Sequence, residues 1–119
     1  MYSVEWEQLP FSDFTWLNVI KLVPKVVKCD FTWTYHSFNL DSNTTIERIP
    51  RNFTVRKTDR LPYTKDLIKC LILMVEFGAA KNLKHSDYDN KIFIDALDEV
   101  NMIHPLVSYN EQKNYFMGI

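Results

Sequence analysis

Tyr2, Val4 and Trp6 alternate with Ser3, Glu5 and Glu7, the period of a half-buried strand. Pro10 ends that pattern. Ser12 then stands where an N-cap belongs, and the spacing predicts a helix over 13–22 that stops ahead of Pro24. From 27 to 35 the odd positions read Val27, Cys29, Phe31, Trp33 and Tyr35, and the even ones Lys28, Asp30, Thr32 and Thr34, a strand with one apolar face. Asp41-Ser42-Asn43 supplies turn chemistry without glycine, and a second strand is expected over 45–57, bent near Pro50. Paired as a hairpin, the two strands set Phe31 against Val55 and Trp33 against Phe53 on an inner face. The same register sets Asp30 against Arg56 and Thr32 against Thr54 on the outer one, every pair of a favourable type.

The second half reads as helical. Thr64 is placed to cap a long helix over 65–83, apolar on nearly every side, with only Lys65, Lys69 and Glu76 in a narrow polar stripe. Such a helix is expected at the centre of the molecule, and its apolar excess points to self-association as a homodimer. Ser86 with Asp89 resembles a capping box opening a third helix over 90–103, with Phe93, Ala96, Leu97, Val100 and Ile103 as its buried stripe. After Pro105, two short strands are expected at 106–109 and 114–117 around Asn110-Glu111. The fold class is α+β: a mostly antiparallel sheet of four to five strands with three helices packed on it.

Composition agrees with this picture. At 119 residues, 46% of them hydrophobic and 14% aromatic, the chain suits one domain over 1–119 and is too rich in core residues to be disordered. The net charge of −1 conceals an uneven distribution. Residues 1–20 carry three acids and no base, 21–84 carry twelve bases and six acids, and 85–119 carry six acids and two bases. The opening MYSVEWEQLP has neither the basic nor the apolar region of a signal peptide, and the run from 67 to 75 is too short to cross a bilayer. A cytoplasmic protein with no membrane partner is the expectation. Cys29 and Cys70 have no motif spacing and fall at apolar-phase positions, as reduced core thiols do. Asn43-Thr44-Thr45 and Asn52-Phe53-Thr54 match the glycosylation pattern by chance in an Asn- and Thr-rich chain.

Two glycines, Gly78 and Gly118, are too few and too far apart for a phosphate-cradling loop, a dinucleotide fingerprint or a nucleophile elbow. No CxxC, HExxH or paired-histidine motif occurs, and no cofactor is implied. His85 near Asp87 and Asp89 invites a metal reading, but Lys91 sits where a calcium loop needs an oxygen ligand. His104 falls where a helix C-terminus favours an imidazole. Asp98 with Glu111-Gln112-Lys113 is a short match to a magnesium nuclease core, and Cys70 as a nucleophile with a histidine base is disfavoured by its place on the buried helix. The balance leans away from an enzyme.

Two surfaces carry the remaining chemistry. One is acidic: Asp95, Asp98 and Glu99 on the outer side of the third helix, extended by Asp87, Tyr88 and Asp89. Asp95 and Glu99 are like charges at i,i+4, and Asp98 and Glu99 lie toward the negative end of the helix dipole, so the cluster opposes local stability. It points to capture of another protein with a basic surface, as a small inhibitor, immunity or anti-defence protein or regulatory adaptor does. The alternative surface is basic: Arg48, Arg51, Arg56, Lys57 and Arg60 with Trp33, Phe53 and Tyr63, a hairpin that could bind single-stranded nucleic acid by charge and stacking.

Overall fold

The computed structural model describes residues 2–58, 62–86 and 89–118. Among them the chain runs β1 (Ser3–Gln8), α1 (Asp13–Val26), β2 (Phe31–Trp33), β3 (Ser37–Leu40), β4 (Thr44–Glu47), β5 (Thr54–Thr58), α2 (Thr64–Glu76), β6 (Ala80–His85), α3 (Lys91–Ile103) and α4 (Tyr109–Met117). The α+β class stands, with two three-stranded antiparallel sheets, ordered β5-β1-β6 and β2-β3-β4, and four helices.

The period-two alternation at the N-terminus makes β1 the centre of the first sheet, with Val4, Trp6 and Gln8 buried. Across β6 the register slips between Glu5 and Glu7, so that Asn82 and Leu83 oppose Trp6 alone. Asn82 absorbs this bulge with φ 53°, a left-handed conformation that asparagine tolerates better than most residues. Ser12 caps α1 as its chemistry requires, its Oγ accepting from Thr15 N at 3.1 Å. The helix nonetheless runs through Pro24 to Val26. A proline in the last turn forfeits only the bond its own nitrogen would donate to the preceding turn.

The long hairpin does not form. Of the residues expected in its first strand, Val27 caps α1 and only Phe31–Trp33 form a strand, β2, which pairs with β3 and sets Phe31 against Leu40 and Trp33 against Phe38. The second strand also divides. Thr44–Glu47 joins β3 through a turn in which Asp41 and Ser42 both have positive φ, the type I′ geometry that suits a tight hairpin. Thr54–Thr58 leaves for the other sheet, where Arg56 faces Glu5 and Val55 faces Trp6. Trp33 and Phe53, expected inside, are more than half exposed. The sheets are tied by Gln8, whose Nε2 donates to Glu47 O at 2.6 Å, and the buried Thr44–Tyr63 hydroxyl pair at 2.8 Å ties β4 to the start of α2.

Helix α2 occupies the centre as its all-round apolarity predicts, and from Leu67 to Met74 every residue is buried. It packs against α1, α3 and β6, so it is covered within one chain. It ends at Glu76, short of the expected 83. Gly78, at φ 83°, closes a Schellman motif in which Ala79 N donates to Met74 O at 2.7 Å and Gly78 N to Val75 O at 3.2 Å. The chain then reverses into β6. No Ser86–Asp89 box opens α3: Ser86 Oγ accepts from Ser3 N at 3.0 Å, extending the β1–β6 pairing, while Asp89 Oδ1 accepts from Lys91 N at 2.9 Å. The α3 stripe is buried at Phe93, Ala96, Leu97 and Val100, whereas Ile103 is exposed.

The two C-terminal strands are instead one helix. Ser108, Gln112 and Phe116 recur at four-residue spacing, and Gln112 and Phe116 are buried. The amide groups of Val107 and Ser108 donate to the Glu76 carboxylate at 2.7 and 3.0 Å, so a side chain about thirty residues away holds the start of α4. Among the described residues no helix is long and apolar enough to cross a membrane.

Candidate interaction surface

The most organised surface chemistry centres on Arg48. Its backbone is fixed from both sides: its N–H donates to His36 O at 2.8 Å, and its carbonyl accepts from Phe11 N at 3.0 Å. The guanidinium lies 5.7 Å from the centroid of the Trp16 ring and 5.0 Å from that of Tyr35, and it pairs with the carboxylate of Asp13. Trp16 is itself buried, with Phe11 edge-on to it at 5.1 Å. A cation held between two aromatic faces and a carboxylate keeps its charge while losing its freedom, so the order of the groove is established before any partner arrives.

Beside it opens a groove of about 480 Å³ lined by Phe11, Tyr35, His36, Ile49, Arg51 and their neighbours. Tyr35 is 67% and Ile49 73% exposed, so two large side chains at the groove stand open to solvent. The sequence brought Arg48 and Arg51 forward but not Trp16, Tyr35 or Ile49. Three separate segments build the groove, and no spacing connects them.

The remaining basic residues lie elsewhere. Arg56 projects from β5, opposite Glu5, and donates to Ser3 Oγ at 3.2 Å; Lys57 donates to Asn43 O at 3.3 Å. Arg60 lies outside the described residues. Around Arg56 the sheet face alternates in charge, with Lys84–Glu5 at 3.2 Å and Lys81–Glu7 at 3.6 Å.

The acidic residues of α3 each have a partner within the chain. Asp95 pairs with Lys91 at 3.0 Å, and Asp98 accepts from the Tyr109 hydroxyl at 2.7 Å. Lys113 donates to that same hydroxyl at 3.2 Å. Glu99 pairs with Lys65 and lies 3.6 Å from Lys69. The like charges that look unfavourable along one helix are therefore offset by Lys91 from the preceding turn and by Lys65 and Lys69 from α2. Asp89 serves the start of α3, and Asp87 and Tyr88 lie outside the described residues.

The Lys65 ammonium, with Lys69 nearby, holds the Glu99 carboxyl below its ordinary range. A carboxylate depressed in the folded state contributes stability above its unfolded pKa and loses it as the pH falls through the folded one. Thermal unfolding scanned from pH 7 into the acid range is therefore expected to show a fall below the ordinary carboxylate pKa that Glu99→Gln makes shallower. An unchanged profile would show the pairing to be energetically idle.

Other chemistry is dispersed. Among the described residues no three His, Cys, Asp or Glu side chains gather as metal ligands. His85 stacks on Phe93 at 4.4 Å and meets Asn90 Oδ1 at 2.6 Å. Because α4 is a helix, Glu111 and Lys113 project roughly 200° apart, so of the short nuclease-like match Lys113 and Asp98 meet at the Tyr109 hydroxyl while Glu111 faces away from Lys113. His104 sits at the C-terminal end of α3, beside the Phe77 ring. Both cysteines are free; burial pushes the Cys70 thiol far up, and burial with the nearby Asp66 carboxylate pushes Cys29 up to about 11. Neither is an activated nucleophile. No known protein family, curated protein or solved structure matches the chain.

Proposed function

We propose that this chain acts by binding another protein, as a stoichiometric inhibitor, immunity protein or adaptor does, and that the groove beside Arg48 receives the partner. The observation that carries the reading is the pairing of a pinned arginine with exposed Tyr35 and Ile49 at one groove. Tyrosine, tryptophan and arginine concentrate binding energy at interfaces, chiefly where their side chains are already ordered. An apolar side chain of the partner fits between Tyr35 and Ile49, and Arg51 on the rim meets a carboxylate. The two free thiols fit a reducing compartment such as the cytoplasm.

The test is capture from host lysate with tagged protein. One protein retained at stoichiometric amounts by the wild type is expected to be lost with Tyr35→Ala and with Ile49→Asp, and retained with Asp95→Asn on α3. Retention by the two groove variants with loss by Asp95→Asn would transfer the site to the acidic helix.

A second reading is favoured by the exposure of Trp33 and Phe53, which leaves two rings open to stack on bases. It predicts that a labelled oligothymidylate binds with an affinity falling steeply with salt, and that Arg51→Ala flattens the slope.

A further inference from the structure

Each sheet ends in two edge strands, and all of these edges but one are protected. β5 carries Arg56 and Lys57, and β6 carries Lys81, Lys84 and the Asn82 bulge, the charges and irregularity that keep further strands from adding. On the β4 side the carbonyl of Glu47 is taken by Gln8 and that of Arg48 by Phe11. β2 has none of these devices. Phe31-Thr32-Trp33 is uncharged, free of proline and bulge, and made of side chains that favour strands.

The pairing with β3 fixes which polar groups of β2 are left over. Thr34 N donates to Ser37 O and Asp41 N to Asp30 O, both at 2.8 Å, so the even residues turn their backbone groups to β3. Phe31 and Trp33 therefore turn theirs outward, where no hydrogen bond among the described residues meets them. Asp30, Thr32, Trp33 and Thr34 are all exposed, so water borders this edge.

We propose that β2 is the interface of a homodimer, in which a second copy of this chain pairs antiparallel with it about a two-fold axis at Thr32. An isologous contact requires that when residue i meets residue j of the other copy, j meets i in return. This segment satisfies that requirement. Phe31 of each copy stands opposite Trp33 of the other, and both are the residues whose N–H and C=O groups point outward. Each such pair exchanges two backbone hydrogen bonds, and the facing aromatic rings add to them. Thr32 stands opposite its own counterpart on the polar face and Asp30 opposite Thr34, so no like charges oppose. β3 and its copy would lie roughly 14 Å apart, three strand spacings. That exceeds the width of a helix, about 10–12 Å, and leaves room for the two copies of α1, whose Trp16 meets the sheet at Phe38 of β3. The edge holds no charge with which to select a foreign strand, whereas its own sequence matches it pair by pair.

Thr32 supplies the test, because it is exposed and would face itself across the axis. Sedimentation equilibrium of the wild type at low salt is expected to show the mass per particle rising from one chain towards two as concentration increases. Thr32→Lys and Thr32→Glu each place like charges across the axis and are expected to raise the dimer dissociation constant about fivefold or more. An equimolar mixture of the two variants is expected to restore association. A wild type that stays monomeric at every concentration, or undiminished association of either variant alone, would overturn the proposal. So would a mixture no stronger than its components, which would leave the edge to a strand of another protein. If a variant fails to fold, the wild type decides: its Phe31 and Trp33 amides must exchange more slowly with solvent as concentration rises.

Discussion

Asp66→Ala is expected to remove about 3–5 kcal/mol of folding stability, the range seen when one partner of a buried charged network is deleted. Asp66 is 8% exposed, near the start of α2. Its Oδ2 accepts from Lys28 N at 3.0 Å and Cys29 N at 2.9 Å, ordering the chain where it leaves α1. Its Oδ1 lies 3.9 Å from the Lys69 ammonium, which donates to Val26 O at 3.1 Å and approaches Glu99 on α3. One carboxylate thus serves two backbone donors and a buried cation, and three helices converge there. Alanine leaves two N–H groups unpaired and a 3% exposed ammonium undercompensated. Asp66→Asn, which keeps one acceptor oxygen, is expected to lose less, about 2 kcal/mol. Urea unfolding followed by tryptophan fluorescence measures both. Since domains of this kind have only about 5–15 kcal/mol in total, the alanine variant would be marginal. A loss under 1 kcal/mol would show that water replaces the carboxylate.

The parts of the fold that were legible are those decided within one turn or one strand. Ser12 caps because its hydroxyl reaches Thr15 N, three residues on. The β1 alternation and the α3 stripe each follow from the face that meets the core. The C-terminus of α2 was also within reach, since Gly78 is the residue a left-handed cap requires, yet the apolar positions beyond it continued the helical pattern. Strand pairing was not legible. The odd positions of 27–35 form a convincing apolar series, but Val27 completes α1 and Tyr35 points to solvent. β5 gains more by pairing with β1, on the edge opposite β6, than by extending the local hairpin. α4 was not legible because what secures its start is Glu76, far away in the sequence. The same reason hides the groove: Asp13, Trp16, Tyr35 and Arg48 meet only after α1 docks on the β2-β3-β4 sheet.

That docking rests on Phe38, and Phe38→Ala is expected to cost about 3–5 kcal/mol, as full truncation of a buried phenylalanine does. Phe38 is fully buried in the central strand of the small sheet. Its ring lies 5.6 Å from Trp16 and from Phe31 and 6.3 Å from Phe11, so one side chain joins α1, β2 and the segment before the helix. Removing it leaves a cavity beneath Trp16 that neighbouring strands can close only by shifting. Trp16 is one of the two faces that seat Arg48, so the loss should reach the surface. Near-ultraviolet circular dichroism from the tryptophan is expected to weaken, and capture through Tyr35 and Ile49 should weaken even where the variant remains folded. Phe14→Ala provides the contrast: that ring is exposed on the outer side of α1, and its removal is expected to stay within about 0.5 kcal/mol. If both variants unfolded at the same urea concentration, Phe38 would not be the joint between helix and sheet. The groove would then have to be held by the Asp13–Arg48 pair and the backbone bonds of Arg48 to His36 and Phe11.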